Sequence, residues 1–128
     1  MNPVVHFEMP AEDRQRVSKF YSSVFGWQMQ QLGPEMGDYL LAGTTEVDAD
    51  RMHKHKGAIN GGFFQKAPDN AHPSLTIAVD DIHAHVEKVK QGGGTVLHEP
   101  QEIPGIGLYV SFLDSEGNRV SMLQPTNR

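Results

Sequence analysis

His6 and Glu8 stand two residues apart in the run VVHFEM at residues 4–9. If that run is a strand, alternation puts both side chains on one face. An imidazole that titrates near neutral pH beside a carboxylate is a general acid–base pair, or a polar anchor for a ligand. The pair could equally be structural, with the histidine bonded to a backbone carbonyl and the glutamate at a sheet rim or dimer seam. Either way, two ionisable groups on an otherwise apolar strand need partners. The remaining histidines offer less. His53 and His55 form His-x-His, but Arg51, Lys54 and Lys56 surround them and repel cations, so a solvated loop is expected. His83 and His85 are two apart in a helical stretch and do not share a face. His98 beside Glu99 reads as the ordinary end of a strand. The absence of cysteine excludes disulfides, thiolate catalysis and cysteine metal sites. Among the aromatics, Trp27, Phe63 and Tyr109 are candidates to line an apolar ligand pocket. Alternation allows only one of Phe63 and Phe64 to face it, and most aromatics should be core.

Two similar units must position these groups. In the first, residues 4–9 alternate as a strand. Residues 10–13 open a helix, with acidic residues at its positive end. Val17, Phe20, Tyr21 and Val24 recur at helical spacing as its buried stripe, and Gly26 ends it. Strands follow at 27–31 and 39–42. Residues 44–56 are polar and aperiodic, an exposed loop. Residues 58–65 form a strand in which Gly61-Gly62 signals a bulge or a close backbone approach. Residues 66–73, with two prolines, link the halves.

The second unit repeats the pattern. A strand at 75–79 leads to Asp80 or Asp81 as helix cap and to Ile82, Val86 and Val89 on one face. Gly92-Gly93-Gly94 stops that helix. Strands follow at 95–98, 108–113 and 119–123, the last two joined by a turn at 114–118. The segment EIPGIG at 102–107 is either a connection or a mobile lip. Asp13 to Gly26 and Asp81 to Gly94 have the same spacing, so each half is β-α-β-β-β: first module about 1–66, second about 73–128, in a single domain.

The formal charge is −5 with Lys and Arg scattered, which leaves no basic face for nucleic acid. No apolar run reaches the roughly 18 residues of a membrane helix. The N-terminus lacks a basic stretch followed by an apolar one. A cytoplasmic protein is expected.

Several segments together resemble the vicinal oxygen chelate superfamily, which includes glyoxalase I, bleomycin-resistance proteins and extradiol dioxygenases. They are His6 in the first strand, Phe20-Tyr21 followed by Phe25-Gly26-Trp27, Val79-Asp80-Asp81, and the ending DSEGNRVSMLQP, where Ser115 replaces the proline of the family's D-P-x-G-N turn. The nearest subgroup resembles short bacterial proteins related to lactoylglutathione lyase. The resemblance implies an α+β fold: two β-α-β-β-β modules forming an open, curled eight-stranded sheet around a cleft, with two main helices outside. It also implies a small-molecule ligand in the cleft and, for many members, a homodimer.

Metal-dependent members supply four ligands from four strands, typically His or Gln, Glu, His, Glu. Here His6 matches the first position. The second falls near residues 60–62, where there is no carboxylate. The third falls at about Ser74, two residues after His72, and the fourth at Ser121. One histidine does not hold a catalytic divalent ion, so no cofactor is expected. The expected function is small-molecule binding, with Trp27, Phe63, Tyr109, Ser74 and Ser121 as ligand contacts. The alternatives are a metal-independent or unusual-metal lyase or isomerase acting on a small carbonyl substrate, with His6 and Glu8 as acid and base, or a non-catalytic regulatory or interaction module.

Overall fold

Residues 1–49 and 54–126 are described by a computed structural model. His53 lies outside the described residues. Contacts divide the chain into two units: His6–Pro73, and Met1–Val5 together with the chain from Ser74 onward. Among the described residues there are nine strands and two α-helices.

The first unit is built on β1 (Val4–Ala11), α1 (Arg14–Phe25), β2 (Gln28–Gln31), β3 (Leu40–Gly43) and β4 (Asn60–Gln65). β2 pairs antiparallel with β3, β3 antiparallel with β4, and β4 parallel with β1. Asp13 caps α1 by accepting from the Arg16 amide, and Gly26 closes it at φ 73, a left-handed geometry that glycine adopts without penalty. Alternation sorts the side chains. Ala11, Leu40, Ala42 and Phe63 form the buried core, with Phe7, Met9, Val17 and Tyr21 packed on it.

The expected stripe of α1 is only half realised. Val17 and Tyr21 reach the core, but Phe20 and Val24 are 52% and 55% exposed. The helix turns residues 14, 17 and 21 towards the strands, and positions 20 and 24 lie round to the side.

The second unit contains β5 (Ser74–Ala78), α2 (Ile82–Gln91), β6 (Thr95–Val96), β7 (Gln101–Ile103), β8 (Gly107–Leu113) and β9 (Arg119–Pro125). β5 pairs parallel with β9, and β8 pairs antiparallel with β9, β6 and β7. Asp81 caps α2, and Ile82, Val86 and Val89 pack on Val79, Val110 and Met122. The amide of Ala78 donates to the Pro3 carbonyl, which ties the N-terminal residues to this unit.

The fold is α+β, as expected, with nine strands in place of eight. The additional one is β7. The segment read as a connection or lip is a hairpin, with Gln101 opposite Tyr109 and Ile103 opposite Gly107. No helix among the described residues is long and apolar enough to cross a membrane.

Candidate functional site

β1 turns Phe7, Met9 and Ala11 towards α1, so His6 and Glu8 project from the helix-free face. Both are at least partly buried, and Glu8 is 8% exposed. His6 Nε2 and the Tyr39 hydroxyl share a hydrogen bond of 3.0 Å, and the two rings stack at 6.2 Å. Tyr39 reaches across because position 62 has no side chain. Gly62 pairs with Glu8 on one side and Leu41 on the other, and a Cβ on it would run into the Tyr39 ring. Asn60 is also committed, since its Oδ1 accepts from the Thr44 amide at 2.7 Å and the Thr45 amide at 3.0 Å.

The second unit carries hydroxyls on its helix-free face. Thr76, Ser121 and Ser111 stand in register across β5, β9 and β8, and each is 2% exposed. Ser121 Oγ lies 2.6 Å from the Tyr109 hydroxyl and 3.1 Å from Ser111 Oγ, while Ser111 Oγ donates weakly to Tyr109 at 3.5 Å. Ser74 opens β5, partly buried, on the same face as Thr76.

His98 is more than a strand end. β6 pairs with Phe112 and Leu113, and β7 pairs with Gly107 to Tyr109. Between those stretches the Ser111 amide donates to His98 Nε2 at 3.1 Å, and the opposite ring nitrogen, Nδ1, bonds the Glu99 carbonyl at 2.8 Å. The imidazole replaces a missing strand residue on the edge of β8. A nitrogen that accepts from an amide carries no proton, so Nδ1 bears the hydrogen.

The two ladders match row for row. Phe63, Leu40 and Met9 form the helix-side row of the first unit, and Met122, Val110 and Ile77 that of the second. Superposing these rows makes His6 the counterpart of Ser74, Gly62 of Ser121, Glu8 of Thr76 and Tyr39 of Tyr109. The expected second ligand position therefore resolves to Gly62, with no donor atom and a tyrosine ring in its place.

Trp27 and Phe63 lie on the helix side. Phe63 is 1% exposed against Tyr21 at 5.4 Å, and Trp27 stacks on Tyr21 at 4.4 Å. Sequence reasoning did not single out Tyr39, Thr76, Ser111 or the bridging role of His98. Alternation through Tyr39 and Leu41, set against the repeat, carries the signal for Tyr39.

The donor set does not suit the divalent ion that the family resemblance implies. Its four positions hold one imidazole, one glycine and two serines. The imidazole nitrogen on offer is engaged by Tyr39, and the serine at 121 by Tyr109. Neutral hydroxyls bind such ions poorly beside carboxylates and imidazoles. Among the described residues no three His, Asp or Glu side chains cluster to hold a metal.

Comparison with known proteins agrees with this architecture. The family model described as Glyoxalase/Bleomycin resistance protein/Dioxygenase superfamily matches residues 4–122. The chain is 27% identical over 124 residues to a lactoylglutathione lyase of Haemophilus influenzae, covering 94% of this chain and 91% of that one. It is also 27% identical over 118 residues to a probable chloroplastic lactoylglutathione lyase of Arabidopsis thaliana, covering 90% of this chain but 33% of that protein. A solved structure of Streptomyces coelicolor methylmalonyl-CoA epimerase, in complex with 2-nitronate-propionyl-CoA, superposes with a TM-score of 0.70 at 12% identity, covering 96% of each chain.

Proposed function

Given that the chain belongs to the glyoxalase/bleomycin resistance protein/dioxygenase superfamily, we propose that it binds a small molecule on the helix-free faces of its strands, without the family's divalent ion. His6 and Glu8 are the groups offered by the first unit, and Ser74, Tyr109 and Ser121 those offered by the second. One observation carries this reading: tyrosines stand at equivalent places in both halves, and each hydroxyl bonds the side chain at a family ligand position, His6 in one and Ser121 in the other. Hydroxyl and imidazole groups on a partly buried face suit a ligand with hydrogen-bonding oxygens or nitrogens and an apolar body.

A thermal-shift screen of the full chain against small carbonyl compounds, aromatic metabolites and antibiotics tests the proposal, because a ligand that binds only the native state raises the melting temperature. The expected result is a hit whose shift is unaffected by a chelator and reduced in Tyr109→Phe. A hit that requires a divalent ion, or a library without hits, overturns the reading.

The His6–Tyr39 hydrogen bond favours a second reading, a metal-independent lyase or isomerase. A phenol and an imidazole 3.0 Å apart can exchange a proton, as acid–base work on a carbonyl substrate requires. In that reading His6 is the base, with Glu8 beside it, and His6→Ala abolishes turnover while binding survives. Loss of affinity alone leaves the binding protein. Lactoylglutathione is the first compound to assay, as the substrate named for the relatives.

We also propose a homodimer, supported by the apolar side of α1, where Phe20, Val24 and Phe25 are each more than half exposed. Sedimentation at two protein concentrations separates a dimer from a monomer.

A further inference from the structure

Arg14 is the first residue of α1 and lies on the stripe, shared with Val17 and Tyr21, that faces the strands. Its Nη1 is buried and has no hydrogen-bond partner among the described residues. The ion pairs of Lys54 with Glu46 and of Lys90 with Glu87 do not involve Arg14.

The repeat shows how unusual this is. Asp13 caps α1 as Asp81 caps α2, so Arg14 corresponds to Ile82. Ile82 is 0% exposed and belongs to the core of the second unit. One scaffold position thus holds a buried isoleucine in one half and a guanidinium in the other. Packing alone calls for the isoleucine. Burying part of a guanidinium is costly unless an acceptor meets it, and among the described residues none meets Nη1.

We infer that Arg14 anchors a binding site for an oxyanion, a carboxylate or phosphate carried by a small molecule, on the helix side of the first unit. The planar guanidinium fork matches both groups. This site does not rest on the ligand reading of the helix-free face, because Arg14 belongs to the opposite layer.

The test uses the full chain and simple probes. Thermal unfolding is followed in sodium phosphate and in sodium succinate, with sodium chloride at matched ionic strength as the reference. The wild type is expected to gain about 3–6 °C at ten times the dissociation constant of the bound anion. The arm that responds identifies phosphate or carboxylate. Arg14→Ile, which copies the second half, should melt higher than wild type in chloride and lose the specific gain. Arg14→Met repeats the test with a longer chain should the isoleucine pack badly. The side-chain nitrogen resonances of Arg14 should move with the responsive anion.

Equal gains in wild type and both variants, from general salt effects, overturn the inference. So does a wild type indifferent to both anions, which leaves water on Nη1. A melting temperature that depends on protein concentration but not on anion also overturns it, and assigns the acceptor to a carboxylate of a second copy.

Discussion

Position 62 decides what the helix-free face of the first unit can be. Without a side chain there, Tyr39 lies flat over the strand and its hydroxyl reaches His6. Gly62→Ala puts a methyl group into that ring. Overpacking of this kind should destabilise the protein by about 1–3 kcal/mol, measured by urea unfolding, and should displace Tyr39 from His6 in the NMR spectrum. Tyr39→Phe keeps the ring and removes only the hydrogen bond, at a cost of about 1 kcal/mol. Alternation was enough to place His6 and Glu8 on one face. The partner of His6 was not legible, because it comes from the residue just before β3, 33 positions along in the same unit, and depends on a glycine for its reach.

Asp114 makes a separate residue-scale prediction. The Asn118 side chain, then the Asn118 amide and the Glu116 amide, bond its carboxylate and hold its pKa below 3.8. A depressed carboxylate contributes stability above its unfolded pKa and loses it as pH falls through the folded value, so this contribution disappears only below pH 3.8. Asn118→Ala should move the Asp114 titration back towards 3.8, read from its carboxyl carbon shift.

Among the elements, β8 shows how a side chain can act as a piece of strand. β6 and β7 are too short to cover its edge, and the His98 ring accepts the amide left between them. His98→Ala should cost about 1–3 kcal/mol, the penalty for an unsatisfied donor. Hydrogen exchange at the Ser111 amide should accelerate by more than that at Met122. His98→Gln, whose amide oxygen can accept, should recover part of the protection. From sequence, His98 looked ordinary because its role depends on where two neighbouring strands stop. The α1 stripe fails for a similar reason. Helical spacing identified four apolar residues, but the strands beneath accept only the line through positions 14, 17 and 21.

For the whole molecule, the repeat was the most readable feature. The aspartate caps at 13 and 81 and the turn at 114–118 stand in the structure, because each follows from local backbone preference, whereas α2 ends at Gly92, two residues before the glycine that matches Gly26 in spacing. The chemistry was less readable because it lies in rows that cross strands, and a row is known only once its register is known. The proposed metal independence makes a prediction at this scale. Dialysis against a chelator should leave the melting temperature within about 1 °C, whereas loss of a bound structural ion would lower it by far more.

The turn at 114–118 also bears on time. There Asp114 accepts amides from residues two and four ahead, and the β8–β9 hairpin closes over a few residues of chain. The corresponding pair of the first half, β3 and β4, must instead bring Ala42 beside Gly61 across a longer stretch of chain. Local pairing forms within about 1–10 μs, while pairing across a longer loop waits on loop closure. The two halves share a plan and differ in when they can begin to fold. Asp114→Ala should slow refolding by nearly its full equilibrium effect, and Met9→Ala should act mainly by speeding unfolding. The duplicated half with the tighter turn is then the template that organises first, and the half that carries His6 and Arg14 is the last to acquire its shape.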